Sequence, residues 1–302
     1  MEQTERCSIC PRLCPVDRRS RPGYCGALAL PQVARAALHH WEEPPISGSR
    51  GSGAVFFSGC NLRCVFCQNF DISATLKGKI CDEKALCDLF LDLQTQGAHN
   101  INLVTPTPHT PVLIRALSLA KEKGLTLPIL WNTNGYERVE TLRSLEGLVD
   151  LYLPDLKYVS STLSQKYSGA ADYFSVASRA IEEMWRQCGP LRLSDEGIAQ
   201  GGVIVRHLVL PGSVDEARRV IDHLFDAYGD SVSLSLMRQY TPMHRALIEP
   251  EKFPFLTRRV TAREYNRAVD YALSKGMTRL FIQKSGAATA DFTPAFDGTG
   301  VK

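Results

Sequence analysis

Ala54-Val55-Phe56-Phe57-Ser58-Gly59-Cys60-Asn61-Leu62-Arg63-Cys64-Val65-Phe66-Cys67 decides how this chain is read: a short apolar run, then three cysteines spaced C-x3-C-x2-C. The apolar run reads as a strand, and the cysteines follow it on a short loop. Three thiolates hold three corners of a four-iron, four-sulfur cube, whereas a fully protein-ligated cluster takes four. One iron is then left open to a small molecule that chelates through an amino and a carboxylate group, and S-adenosylmethionine (SAM) fits that description. The competing readings are a zinc knuckle, although structural zinc takes four protein ligands, or three incidental buried thiols.

Outward from the triad, short apolar runs alternate with longer amphipathic ones. Strands are expected at 100–104, 127–131, 149–153, 203–210, 231–237 and 278–283, and helices at 109–123, 138–145, 171–187, 214–228 and 262–275. The strands are rich in Val, Ile and Leu with little alternation, as in a parallel sheet covered on both faces. Strand and helix taking turns argues for βαβ units. From Ala54 to Gln283 there is room for about seven units of ~30 residues, short of a complete eight-unit barrel. The expectation is an α/β fold, a partial, open (β/α)6-type barrel of parallel strands whose sites gather at the strands' C-terminal ends. Residues 1–53, with four cysteines, several prolines and a Gly/Ser stretch, read as a small Cys-rich metal-binding appendage. Residues 54–284 read as the barrel, and 285–302 as an irregular C-terminal tail.

The 302 residues suffice for a full enzyme core. A net charge of +3 is too mild for a nucleic-acid footprint. No apolar stretch reaches the ~20 residues of a membrane span. Met1–Arg6 lacks the pattern of a secretory signal, so a cytoplasmic protein is expected. Seven of the ten cysteines lie in the first 67 residues, which puts the metal chemistry at the front of the chain. In a reducing compartment such thiols serve metals or redox chemistry rather than disulfides. Cys7, Cys10, Cys14 and Cys25 have the number and spacing of a second metal site. Zinc is one reading and a second iron-sulfur cluster the other, since Cys10-Pro11 and Cys14-Pro15 look like iron-sulfur text. Cys81, Cys87 and Cys188 read as packing residues, and His39, His40, His99 and His223 lack a matching ligand set.

The triad with its flanks, Phe56 through Asn69, resembles the radical SAM superfamily, and within it the branch of pyruvate formate-lyase activating enzyme-like proteins. The resemblance runs from about Cys7 to the tail and implies the same open barrel. It implies that Phe66 lies against the adenine of SAM. Many members carry Gly-Gly-Glu after the second strand to hold the SAM amino group; this chain has Val104-Thr105-Pro106-Thr107 instead. Hydroxyls of Thr105 and Thr107 could accept from an ammonium, or Thr107 could cap the following helix. Asn69 could hydrogen-bond near the cluster.

The third strand ends in Asn132-Thr133-Asn134-Gly135, where Gly135 permits a tight turn close to a ligand. The resemblance places Asn132 and Thr133 at a monovalent-cation and SAM-carboxylate site, although Asn132 is neutral where family members often carry an acid. Asp155 and Lys157 lie two residues apart on one face of the next strand end. They are read as holding a cation or the SAM ammonium and the SAM carboxylate respectively, or as a plain ion pair; the family's Asp-Leu-Lys motif agrees with the former. Arg206 and His207 interrupt an apolar strand, where an unpartnered charge is costly. The family pattern turns Arg206 to the SAM carboxylate or ribose and His207 to the opposite face. Gln239, Tyr240, His244 and Gln283 are candidates for the substrate side.

The resemblance implies reductive cleavage of SAM to a 5'-deoxyadenosyl radical that abstracts hydrogen from a substrate, an activating enzyme installing a glycyl radical on a partner protein. A flavodoxin or ferredoxin would supply the electron. The alternatives are radical modification of a small molecule or peptide, and an iron-sulfur electron carrier without SAM chemistry.

Overall fold

The computed structural model describes residues 6–284 and 293–301. Its strands are β1 (Gln32–His39), β2 (Ser52–Phe57), β3 (Lys79–Ile80), β4 (Ile101–Val104), β5 (Ile129–Thr133), β6 (Leu151–Pro154), β7 (Arg192–Leu193), β8 (Ala199–Leu208), β9 (Ser233–Met237) and β10 (Leu280–Ile282). The helices are α1 (Pro44–Ser47), α2 (Phe70–Ser73), α3 (Glu83–Thr95), α4 (Thr110–Glu122), α5 (Val139–Arg143), α6 (Ser161–Ser168), α7 (Tyr173–Cys188), α8 (Val214–Tyr228), α9 (Arg245–Ile248) and α10 (Ala262–Ser274). The sheet order is β10-β9-β8-β6-β5-β4-β2-β1-β3, with β7 paired to β8. From β2 to β10 the seven strands of the main path pair in parallel, so six connections join them. That is the partial, open α/β barrel expected.

The two faces of the strands have different work. Trp131, Tyr152, Val203, Val205, Leu234 and Leu236 face outward and join one core with the buried sides of α3, α4, α7, α8 and α10. α8 shows why its sequence is a helix: Val214, Ala217, Val220, Ile221 and Leu224 recur every three or four residues and are all buried. Truncating the fully buried Trp131 to Ala would cost about 3–5 kcal/mol. Inward, one residue out of phase, Leu130, Leu151, Leu153 and Ile204 pack on Ile46 of α1 and plug the bottom of the barrel. One step further along each strand the inner face turns polar, at Asn132, Asp155 and Arg206. An isolated parallel bridge between Asp155 and Arg206 extends the β6–β8 pairing to that level.

The sheet begins before Ala54. β1 lies antiparallel against β2 and covers the edge of the parallel run. Its Ala-rich sequence, Gln-Val-Ala-Arg-Ala-Ala-Leu-His, has little strand propensity, and pairing makes it a strand. Residues 6–31 contain no helix or strand. The end of the chain lies on β1: Ala36 N–H donates to Thr299 O (2.9 Å), Gly298 N–H to Ala34 O (3.0 Å), and Val301 is buried. Of the expected tail, 285–292 and residue 302 lie outside the described residues. β8 starts four residues before its expected position because Gln200-Gly201-Gly202 weakens the strand signal.

Candidate functional site

β2 delivers the triad. Gly59 takes φ +92 and turns the chain sharply, and an added Cβ there would stand 3.0 Å from Cys25 O. Cys60, Cys64 and Cys67 then line an open cleft at the C-terminal ends of the parallel strands. Each sulfur has a polar companion. Asn134 Nδ2 donates to Cys60 Sγ (3.3 Å), Ser168 Oγ lies 3.0 Å from Cys64 Sγ, and Ser73 Oγ lies 3.4 Å from Cys67 Sγ. Burial, with the neighbouring thiols adding to it, pushes Cys60 up to about 12 and Cys67 to about 11. Cys64 is raised too, by burial against the opposing pull of Lys157. Without a metal these are neutral thiols at pH 7, and metal ligation displaces their protons. Three thiols on one loop, with no fourth cysteine in the cleft lining among the described residues, match in number the donor set of a cluster with one open corner.

The other strand ends surround the triad. Phe66, Asn69, Thr105, Asn132, Thr133, Asn134, Asp155, Lys157 and Arg206 all line the same cleft. Phe66 is buried with its edges toward Tyr158 (6.4 Å) and Tyr240 (6.3 Å). Thr105 adopts φ +59, the left-handed region uncommon for non-glycine residues, and its N–H donates to Asn132 O (2.9 Å). Gly135 has φ +79, and a Cβ there would lie 2.3 Å from Asp155 O, so the glycine lets β5 and β6 close together above the site. Lys157 Nζ forms an ion pair with Asp155 Oδ2. Burial works to lower the Lys157 pKa, but Asp155 and Cys64 outweigh it and hold the ammonium charged. Asp155 and Lys157 therefore form the ion pair and stand on the cleft wall at once.

Two hydroxyls and an indole N–H share a partner that the strand pattern does not announce. Thr107 Oγ1 and Thr133 Oγ1 both donate to Glu137 Oε1 (2.6 Å each), as does Trp131 Nε1 (3.2 Å). Thr107 thus serves a buried carboxylate, in a short 3-10 turn ahead of α4. Burial raises the Glu137 pKa, with the three donors pulling the other way. His109 Nε2–H donates to Ser58 O (2.9 Å) behind the triad loop. His207 points away from the cleft, its Nδ1 on Leu156 O (2.8 Å).

Arg206 lines the cleft with its guanidinium already engaged. Its Nε donates to Glu43 Oε1 (2.9 Å), and Nη2 to Glu42 Oε2 (2.5 Å) and to Glu43 Oε2. Glu42 Oε1 in turn accepts from Asn102 Nδ2 (2.8 Å). Burial would raise the Glu43 carboxyl, but Arg206 and its hydrogen bonds prevail and hold it below the usual range. His39, Trp41 and Glu42, from the end of β1, are part of the cleft wall. No motif marks them; their signal is the register that lays β1 beside β2.

No family model matches the chain. It is 29% identical over 276 residues to an uncharacterized protein of Methanocaldococcus jannaschii, spanning 89% of this chain and 74% of that one. It is 26% identical over 178 residues to the pyruvate formate-lyase-activating enzyme of Streptococcus mutans, spanning 55% of this chain and 62% of that one. Among solved structures it matches native anSMEcpe with bound AdoMet and the Kp18Cys peptide at a TM-score of 0.52 and 14% identity, over 74% of this chain and 60% of that one. This is the radical SAM fold. With the cysteine motif of that superfamily at the end of its first parallel strand, the chain combines the fold and the motif of radical SAM enzymes. It spans 48% of the length of another solved chain it matches, Streptococcus suis SuiB, at a TM-score of 0.48.

On the far wall of the radical SAM cleft, Gln68 Nε2 donates to Gln239 O (3.1 Å) and Gln283 Nε2 to Gln239 Oε1 (2.7 Å). These amides tie the triad loop to the ends of β9 and β10. Tyr240 is a packing residue, its hydroxyl donating to Leu256 O. His244 stacks on Phe70 at 4.1 Å. Outside the cleft, Cys14 Sγ accepts from Tyr24 N–H (3.2 Å), and Cys25 O accepts from Cys60 N–H (3.3 Å). Burial pushes Cys10 up to about 12 and raises Cys25, and the charges of neighbouring cysteines add to both. Among the described residues, no three of His, Cys, Asp or Glu converge to hold a single metal ion.

Proposed function

We propose that this protein reductively cleaves SAM to abstract hydrogen from a peptide or protein substrate. The observation that carries it is the three-cysteine donor set on the wall of a polar cleft at the parallel strand ends. When bound there, a four-iron cluster supplies the electron that splits SAM into methionine and a 5'-deoxyadenosyl radical. The chain's own residues bind and orient. Cys60, Cys64 and Cys67 ligate, while Asn134, Ser168 and Ser73 fix the sulfurs by hydrogen bonds. Phe66 offers an aromatic surface to the adenine. Lys157 has donors beyond the one given to Asp155 and takes the SAM carboxylate. Asn69, Thr105 and Asn132 offer polar groups for the rest of the amino-acid moiety. At Asp155 we assign the cationic role to Lys157 Nζ rather than to a bound monovalent ion. Arg206 acts as a positioning residue, holding Glu42 at the cleft wall.

The similarity to a pyruvate formate-lyase-activating enzyme supports a glycyl-radical protein as substrate, and the peptide bound to anSMEcpe supports a peptide. Both are served by a barrel open on one side. A cytoplasmic setting, with flavodoxin or ferredoxin as reductant, suits the ten free cysteines; no helix among the described residues is long and apolar enough to cross a membrane.

The test is electron paramagnetic resonance of anaerobically reconstituted, reduced protein with and without SAM, followed by assay for 5'-deoxyadenosine. The expected result is a cluster signal that SAM perturbs and that disappears in the Cys60→Ala/Cys64→Ala/Cys67→Ala variant, with 5'-deoxyadenosine formed by the wild type. An intact cluster whose signal SAM leaves unchanged would make the chain an electron carrier. Deuterium passing into 5'-deoxyadenosine from a glycine-deuterated glycyl-radical protein, and not from peptides, selects the activating role.

A further inference from the structure

We propose that Tyr173 is a positioning residue of the cleft, its hydroxyl locking the turn that hydrogen-bonds to Cys60 onto the strand end that carries Asp155 and Lys157. The effect on SAM rests on the proposed function; the effect on the Cys60 sulfur does not need SAM chemistry.

The β5–β6 ladder stops just short of the site. Its pairs run from Leu130–Leu151 to Thr133–Pro154, and the next residues, Asn134 and Asp155, lie beyond the strands. Two backbone carbonyls are left there for another donor. Tyr173, the first residue of α7, takes them both. Its hydroxyl lies 2.8 Å from Asn134 O and 2.8 Å from Asp155 O, and it accepts from Lys157 N–H (3.1 Å). A phenol has one proton, so the two carbonyls share it while a lone pair serves the N–H. Burial holds the phenol far above its ordinary pKa, against the pull of Lys157, and the proton stays in place.

The ring is fixed as firmly as the hydroxyl. Tyr173 is fully buried, stacked on Tyr136 at 6.3 Å and edge-on to Tyr158 at 5.7 Å. Tyr136 OH donates to the carboxylate of Asp172 (2.8 and 3.0 Å), which fastens the start of α7 to the same turn a second time. What the clamp holds is the Asn134 amide. Asn134 Oδ1 accepts from Tyr136 N–H (2.9 Å), which leaves Nδ2 to face Asn61 Oδ1 (2.8 Å) and Cys60 Sγ (3.3 Å). With its backbone carbonyl on Tyr173 and its side-chain oxygen on Tyr136, Asn134 is held at the sulfur. The other end of the clamp is the backbone of Asp155 and Lys157, whose ion pair stands on the cleft wall. One hydroxyl thus fixes the Cys60 side and the Lys157 side of the cleft relative to each other. Gly135 leaves it room, since a Cβ there would stand 3.2 Å from the Tyr173 oxygen.

The test compares Tyr173→Phe with wild type and with Tyr152→Phe, all full-length and anaerobically reconstituted. Tyr152→Phe is the structural control: it also loses a buried tyrosine's hydroxyl, one that donates to Gln187 Oε1 (2.7 Å) on the outer side of β6. Both variants should melt at similarly lower temperatures. Only Tyr173→Phe should weaken SAM binding in a calorimetric titration, by about fivefold to tenfold. Only it should move the cluster to a more negative midpoint in a redox titration without SAM. Added to Asn134→Ala, it should shift the midpoint no further, because it reaches the sulfur through that amide. Wild-type SAM affinity or a wild-type midpoint in Tyr173→Phe would overturn the proposal, as would equal losses in Tyr152→Phe. Wild-type protein that binds no SAM, with the midpoint shift still present in Tyr173→Phe, would refute the proposed function and leave the clamp on Cys60 standing.

Discussion

Replacing Arg206 by Met should destabilise this protein far more than removal of a typical surface cation. Arg206, Glu42 and Glu43 have side chains only 9%, 11% and 7% exposed, and the guanidinium donates to both carboxylates. Removing one partner of a buried pair leaves uncompensated charge, at a cost of about 3–5 kcal/mol, against about 0–1 kcal/mol for an exposed pair. Unfolding entropy of about 2.1 cal/mol/K per residue gives about 0.6 kcal/mol/K for a chain of this length. The melting midpoint of Arg206→Met should therefore fall by about 5–8 °C. Lys77→Met, which breaks the exposed ion pair with Asp71, should move it by no more than about 1 °C. Adding Glu42→Gln and Glu43→Gln to Arg206→Met removes the stranded charges and should recover part of the loss. The assay is circular dichroism melting of the reconstituted protein. A midpoint for Arg206→Met within about 2 °C of wild type, together with a collapse in SAM affinity, would refute the positioning role and give the guanidinium to the cofactor.

Three other outcomes follow from the same geometry. Burial lowers the His109 pKa from 6.5 to about 4, so the unfolded chain takes up a proton that the native state resists. Its contribution is full above pH 6.5 and is lost as pH falls toward about 4, a change on the order of 3 kcal/mol. Urea midpoints between neutral and acid pH should flatten in His109→Gln, and an unchanged slope would place the acid sensitivity elsewhere. Gly135→Ala puts a Cβ 2.3 Å from Asp155 O at φ +79, so it should lower stability by about 1–3 kcal/mol and weaken SAM binding. A calorimetric titration at wild-type affinity would contradict this. Ser168→Ala removes the hydroxyl 3.0 Å from Cys64 Sγ and should shift the triad cluster to a more negative potential in a redox titration; an unchanged potential would show that the hydroxyl serves Tyr158 instead.

The legible parts of the site were those where a polar residue breaks an apolar strand. Asn132, Asp155 and Arg206 stand out in sequence because Leu130, Leu153 and Ile204 precede each of them by two, and that period puts all three on the inner face. Thr133 and Thr107 give their hydroxyls to Glu137, which strand ends alone did not reveal, since the turn at Asn134-Gly135 brings Glu137 back to them. Glu42 and Glu43 escaped because they lie in a Pro-rich stretch after an Ala-rich strand, and only antiparallel pairing of β1 with β2 carries them to the cleft. Ser73 and Ser168, at the ends of α2 and α6, are two serines among many until the helices place them on sulfur.

The charges inside the barrel explain how these pieces cooperate. Lys157 and Arg206 carry two formal positive charges, while Asp155, Glu42 and Glu43 carry three negative ones, so this set has one negative charge in excess. Arg206 has two carboxylates for its single charge, which leaves it ill suited to attract a third. Lys157 has one, and its ammonium keeps further donors. SAM combines a sulfonium, an ammonium and a carboxylate, a net positive charge that matches the excess. The same arrangement favours Lys157 for the carboxylate end and the Glu42 side for the cationic end. The interior therefore has an electrostatic direction across the cleft, with the triad on its wall, and that direction is set by β1, the strand that lies outside the parallel run.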